Sequence, residues 1–220
     1  TSADVRSTDI EIREGRPHFD LVTPAGRASV GLRIVGIHQV SNALAAAAIA
    51  TKLEISIDLI AGALSTAELH SKWRMEIAEL DGLVLINDSY NASPESTEAA
   101  LRTLVLFAQE RGGQSWAFLG KMHELGASSL QHHSRLGTLA SELGIDHLVC
   151  VASPEYAAEV NGASAMTIHL FDSKELATEL VSQMSQGDVV LVKASRAEKF
   201  EEVAQSITEK WNSREVGGEN

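Results

Sequence analysis

The sequence predicts an α/β protein: a mainly parallel sheet with helices on both faces, preceded by a smaller β/α segment. Three observations point there. From residue 75 onward, short apolar runs alternate with longer stretches of helical composition, the pattern of strand–helix–strand units. Before residue 75 the order is different, with β-type runs first and two helical stretches after them. Between the first two apolar runs of the second part stands Asp81-Gly82, a two-residue hairpin signal.

The elements follow in order. Residues 8–35 alternate and turn, with Gly15, Pro24 and Gly26 as punctuation, and read as an antiparallel hairpin or meander. "SNALAAAAIATKL" and "SIDLIAGALST" are helical, the second with Gly62 inside it; Ser41 and Ser56 are the expected N-caps. Two helices after a meander make a poor domain by themselves and read as the tail of something larger. The boundary falls near residues 70–75, which divides the chain into 1–74 and 75–220.

In the second part the strands are "MEIAEL", "LVLIND", "WAFLG", "HLVCVA", "TIHLF" and "DVVLVKA". The helices are "SPESTEAALRTLVLFAQE", "SLQHHSRLGTLASELG", "SPEYAAEV", "SKELATELVSQM" and "SRAEKFEEVAQSITEKW". The first of these is well specified. Ser93 caps it, Pro94 suits its first turn because proline lacks the N–H that would go unpaired there, and Ala100, Leu101, Leu104, Val105 and Ala108 share a face. The closing "REVGGEN" is expected to be a frayed tail.

Composition narrows the function. The 220 residues suffice for one large domain or two small ones, and 44% hydrophobic content with 22% charge is that of a folded protein. A net charge of −12 argues against a nucleic-acid binder. It leaves nucleotides open, because a few local cations and helix N-termini hold phosphate on an acidic protein. No apolar run is long enough to span a bilayer, and no secretory signal opens the chain. The lone cysteine, Cys150, sits in "HLVCVA" and reads as a core thiol, which suits a reducing compartment. The chain opens "TSADVRSTDI" without methionine, so a piece of a longer protein is expected.

Several familiar sites are absent: no GxxxxGK[ST], no GxGxxG after a strand, no Cys/His zinc spacing and no GxSxG. His132 and His133 are adjacent on a helix and point about 100° apart, so one packed and one exposed ring is expected rather than a metal pair.

The segment "NDSYNASP" leaves a strand at its carboxyl end, where open parallel sheets bind ligands. There Asp88 could accept two ribose hydroxyls or close an Asx-turn. Arg74, at the junction, could reach ribose or phosphate or make a surface ion pair. Asn42 carries the donors and acceptor that an adenine edge needs, or serves the start of its helix. Lys193, Ser195 and Arg196 follow the last strand and open the last helix, an anion-friendly place, unless they are cap and solvated charge.

Taken together, "GIHQVSNALAAAAIA", "RMEI", "LVLINDSYNASPESTEAALRTL", "FLGKMHELG", "HSRLGTLASELGIDHLVCV" and "GDVVLVKASR" resemble the Mur ligase family. They run in family order from about residue 36 to 196. "NDSYNASP" resembles the branch that adds D-Ala-D-Ala to UDP-N-acetylmuramoyl-tripeptide. The resemblance implies that residues 1–74 are the C-terminal part of a central ATPase domain and 75–220 a Rossmann-like C-terminal domain. It implies an ATP-dependent ligase of cytoplasmic peptidoglycan synthesis working through an acyl phosphate. The phosphate loop, catalytic residues and Mg2+ ligands would lie upstream, so this piece alone would be inactive.

By position, Asn42, Arg74 and Asp88 look like the nucleotide-binding residues. Tyr90 and Asn91 would lie beside the phosphates or the incoming dipeptide, and Lys193, Ser195 and Arg196 resemble a "KGSR" segment near the substrate end. Departures are Lys121 and His123 in "GKMHELG" where "GDMLELG" is usual, Ala194 for Gly, and Gln39 for Asn. A monomer with no nucleic-acid partner is expected, and a hinge near residues 71–74. The alternative is a non-catalytic Mur-like module that binds a ligand or partner.

Overall fold

The computed structural model describes residues 3–13, 15–68, 72–160 and 165–215. It resolves into two compact units, residues 1–70 and 71–220. Ser71, at one end of the expected hinge, and residues 216–220 of the expected frayed tail lie outside the described residues.

In the first unit, strands β1 (Arg6–Arg13), β2 (Arg16–Thr23) and β3 (Gly26–Gly31) form an antiparallel meander in that order. Along β2 every second residue is buried, as a strand with one covered face requires. Its Phe19 and Leu21 meet Val30 and Leu32. They also meet Val40, Ala43 and Ala47 of helix α1 (Gln39–Lys52), and Ile60 and Ala61 of helix α2 (Ile57–Thr66). Ser56 takes the N-cap position of α2 with an extended backbone. Ser41 is not a cap: α1 begins two residues earlier, with His38 at its N-cap position. The backbone already turns before that, Gln39 N–H bonding to the Gly36 carbonyl and Val40 N–H to Ile37, so Ser41 arrives inside the helix.

The second unit is a six-stranded sheet. Strands β4 (Glu76–Leu80), β5 (Leu83–Asn87), β6 (Ser115–Leu119), β7 (His147–Val151), β8 (Thr167–Phe171) and β9 (Val189–Lys193) lie in the order β4-β5-β9-β6-β7-β8. All pairings are parallel except β4 with β5. That hairpin turns on Asp81 and Gly82, at φ 36° and 86°, the doubly left-handed geometry that suits the twist of the flanking strands.

Helices α3 (Pro94–Arg111), α4 (Ser129–Glu142), α5 (Lys174–Ala177) and α6 (Glu201–Glu215) cover the sheet. One face buries Leu85, Phe118, Val149 and Val192 under Phe200 just before α6, Val203 and Ile207 of α6, and Leu180 and Val181 after α5. Pleating turns Ile86, Ala117, Leu119 and Cys150 to the other face, where α3 packs on β6 and β9 and α4 packs beside α3. The fold class is therefore as the sequence predicts.

Two expected helices are shorter than their composition suggests. "SPEYAAEV" gives one 3-10 turn, Pro154–Ala157, in which Tyr156 alone is buried, so no apolar stripe holds a longer helix. "SKELATELVSQM" begins as α5 and tightens to a 3-10 helix over Thr178–Gln183, where Thr178 and Ser182 hydroxyls bond carbonyls three residues back.

Among the described residues no helix is long and apolar enough to cross a membrane.

Candidate functional site

The carboxyl ends of β5, β9 and β6 stand side by side. β6 leads to α4 on one face and β9 leads to α6 on the other, so the chain diverges between them. Such a switch point leaves a crevice outside the strand ends. A cleft of about 590 Å³ lies there, lined among others by Tyr90, Asn91, Ser93, His123, Ser195 and Arg196. α3 begins at its edge: Ser93 accepts from the Ser96 N–H, Ser96 returns the bond to the Ser93 N–H, and Pro94 follows the cap.

Beneath the loop lies an ion pair. The Lys193 side chain is 1% exposed; its Nζ donates to Asp88 Oδ2 at 2.5 Å and to the Asn91 carbonyl at 2.9 Å. Burial pushes its pKa below the usual lysine range, the Asp88 carboxylate pulls it back up, and Arg74 adds a smaller repulsion. The other oxygen of Asp88, Oδ1, accepts the Met75 N–H at 3.1 Å.

Two sequence readings change here. Asp88 closes no Asx-turn; that turn belongs to Asn87, whose Oδ1 accepts the N–H and hydroxyl of Ser89. Lys193 is not a solvated cation at a helix start. It ends β9 inside the sheet, and a 3-10 turn at Arg196–Glu198 and a left-handed Lys199 precede α6.

Ser195 knots three loops together. Its N–H donates to the Lys121 carbonyl, its Oγ accepts the His123 N–H at 2.9 Å, and the same hydroxyl donates to the Ala92 carbonyl at 3.4 Å. On the rim the Arg74 guanidinium lies 4.0 Å from the Tyr90 ring centre, and Arg196 lies 4.3 Å from that of Trp73. Arg74 thus stacks on an aromatic ring where the sequence left open a surface ion pair. Trp73 and Met75 both take positive φ, and the Tyr90 N–H bonds the Trp73 carbonyl. Arg196 also reaches Glu201 at 2.7 Å.

Of the predicted residues, Tyr90, Asn91, Ser195 and Arg196 line one cleft, Asp88 and Lys193 pair beneath its loop, and Arg74 stacks on Tyr90. Asn42 belongs to the first unit, exposed on α1 with its amide donating to Gln39. His133 is buried, receiving the Met122 N–H on Nε2 and giving Nδ1–H to the Ser129 carbonyl, while His132 is half-exposed. Cys150 is buried and its thiol pKa is pushed up to about 12, chiefly by burial. Sequence reasoning missed Trp73 and the pairing of His123 with Glu198, Nε2 to Oε1 at 2.5 Å. The only sign of the latter was the unusual histidine itself.

Comparison with known proteins agrees with this architecture. The family model for the Mur ligase, glutamate ligase domain matches residues 73–196. The UDP-N-acetylmuramoyl-tripeptide–D-alanyl-D-alanine ligase of Mycobacterium tuberculosis (strain ATCC 25618 / H37Rv) is 35% identical over 94% of this chain and 45% of its own length. The same-named protein of Escherichia coli (strain K12) is 32% identical over equal shares. The crystal structure of MurF from Acinetobacter baumannii superposes with a TM-score of 0.84 at 30% identity, over 94% of this chain and 45% of that one. MurF ligase from Thermotoga maritima in complex with ADP gives 0.79 at 26%, over 97% and 48%. The chain thus spans about half the length of the relatives it matches.

Proposed function

The chain belongs to the Mur ligase family, and on that premise we propose that it is the nucleotide-closing and acceptor-side part of an ATP-dependent ligase. The ligase joins D-Ala-D-Ala to UDP-N-acetylmuramoyl-tripeptide in cytoplasmic peptidoglycan precursor synthesis. The observation that carries this reading is the cleft at the switch point, walled by the loop "NDSYNASP" and locked by Lys193 and Ser195. The relatives' shared name supplies the substrates, and the ADP complex of one neighbour supports a nucleotide.

In this reading residues 1–74 are the end of a central ATPase domain and 75–220 the C-terminal domain. Ile49 on α1, Leu53 just past its end and Leu59 on α2 are exposed, which supports a first unit that completes its core with further chain. ATP supplies the phosphoryl group that activates the tripeptide carboxylate as an acyl phosphate, and the Mg2+ ligands and catalytic residues come from upstream. This chain alone is therefore inactive.

The chain's own residues bind and position. Asn42, Arg74 and Asp88 serve the nucleoside. Tyr90, Asn91, Ser195 and Arg196 face phosphate or acceptor. Lys193 is too deep to meet a ligand and acts by holding the 88–91 loop in one shape, the preorganisation that positioning demands.

The test is ATP-dependent phosphate release by the full-length protein with UDP-N-acetylmuramoyl-tripeptide, with and without D-Ala-D-Ala. Release that needs both substrates is expected. No release with any amino-acid acceptor refutes the ligase and leaves a ligand- or partner-binding module.

A further inference from the structure

We propose that His123 and Glu198 form a dyad that takes the proton from the acceptor's ammonium group, an assignment that rests on the ligase reading above. His123 lines the cleft and its side chain is 41% exposed. Its backbone is pinned by the bond from its N–H to Ser195 Oγ, in a loop that Glu124 bends at φ 65°. Its ring is pinned by Glu198, 2.5 Å from Nε2.

A carboxylate at that distance requires a hydrogen on Nε2, which leaves the lone pair on Nδ1. Among the described residues Nδ1 has no hydrogen-bond partner. The group is thus built as an oriented base: one nitrogen held by an acid, the other open beside the cleft.

Charged groups from each side set its surroundings. Glu198 and Arg196 stand on the turn after β9, and Lys121 and Glu124 on its own loop. Lys174 of α5 donates to the Glu198 carbonyl and pairs with Glu202. Tyr90 shares the cleft.

The ligation gives such a group a task. A primary amine arrives protonated and cannot attack until it loses a proton. Nδ1 accepts that proton, and the resulting imidazolium faces the Glu198 carboxylate through Nε2–H. The freed nitrogen lone pair forms the C–N bond to the activated carbonyl, and the bond from that carbonyl carbon to the phosphate oxygen breaks. The second proton on nitrogen leaves with the departing phosphate, and the imidazolium returns its proton to water. No oxidant or further reactant is required.

The experiment measures kcat/KM for D-Ala-D-Ala against pH in the full-length protein. Wild type is compared with His123→Leu and Glu198→Gln, with KM for ATP and for the nucleotide substrate measured alongside. His123→Leu is expected to lose about 100-fold in kcat/KM at neutral pH, a typical general-base contribution. The deficit should shrink as pH rises and the free amine becomes abundant, with both other KM values unchanged. Glu198→Gln is expected to retain more activity than His123→Leu, because the ring keeps its open nitrogen and loses only the acid that fixes its tautomer.

A His123→Leu enzyme with the wild-type rate and acid limb overturns the dyad while the ligase stands. A fall in rate that is equal at every pH also overturns it, because that marks a structural role. A wild-type protein that releases no phosphate with any acceptor overturns the ligase reading and the dyad with it.

Discussion

Replacing Lys193 by methionine keeps the length of the side chain and removes its charge. Asp88 then loses its partner while only 13% of its side chain is exposed, and the Asn91 carbonyl loses its donor. Removing one member of a buried pair costs about 3–5 kcal/mol, because the remaining charge stays desolvated. Asp88 keeps the Met75 N–H and can take up a proton or draw in water, which places the expectation at the lower end, about 3 kcal/mol. For a chain of this length that is a fall in melting temperature of roughly 6–12 °C. The three tryptophans, Trp73, Trp116 and Trp211, all lie in the second unit, so fluorescence during heating reports its unfolding directly. Lys193→Met combined with Asp88→Asn is expected to cost less than the two single changes added together, with a coupling of about 1–3 kcal/mol. A Lys193→Met melting temperature within a degree or so of wild type, or strictly additive losses, refutes a closed ion pair beneath the loop.

Gly137 lies inside α4, where alanine is ordinarily better by about 1 kcal/mol. Here a Cβ would sit 1.7 Å from the Tyr156 carbonyl oxygen, so Gly137→Ala is expected to destabilise by about 1–3 kcal/mol; a urea midpoint that stays or rises contradicts the close approach. At the opposite end of the strands His147 stacks on Trp116 at 3.6 Å and sets Nδ1 3.2 Å from His169 Nε2. Burial lowers the pKa of both from 6.5, with Asp146 and Asp188 partly restoring His147 and His147 lowering His169 further. The unfolded chain therefore binds protons first, so stability holds above that value and declines as pH falls below it toward the depressed folded values. Urea unfolding at a series of pH values should show this slope, flattened in His169→Gln; an equal slope in the variant counts against the pair.

The sequence displayed what is local. The Asp81-Gly82 turn, the Ser93-Pro94 start and the alternation of strands with helices all rest on residues close together in the chain, and all are in the structure. Burial across the sheet was not legible. Lys193 ends "VVLVK", and nothing nearby says that its partner lies 105 residues away at Asp88. A lysine after an apolar run reads as a surface charge until β9 is known to lie between β5 and β6. Helix lengths failed for a related reason: "SPEYAAEV" has the composition of a helix, yet its single anchor, Tyr156, bonds the Gly120 carbonyl and stacks edge-on with His133. The cleft's location was readable from "NDSYNASP", whereas the knot at Ser195 joins three loops that only the fold brings together.

The position of β9 governs how this protein is born. A ribosome makes β5 and β6 early, yet they never touch; the strand that joins them is almost the last part of the second unit to emerge. Until it does, both would-be neighbours present unpaired edges, the kind of surface that recruits other chains. Synthesis adds about 5–20 residues each second, so that exposure lasts for seconds. The nascent second unit cannot close its sheet in stages: it waits for its own keystone and for α6 behind it. Premature termination between β8 and β9 therefore leaves two half-sheets with no centre, a substrate for chaperones and proteases and not a smaller version of the fold.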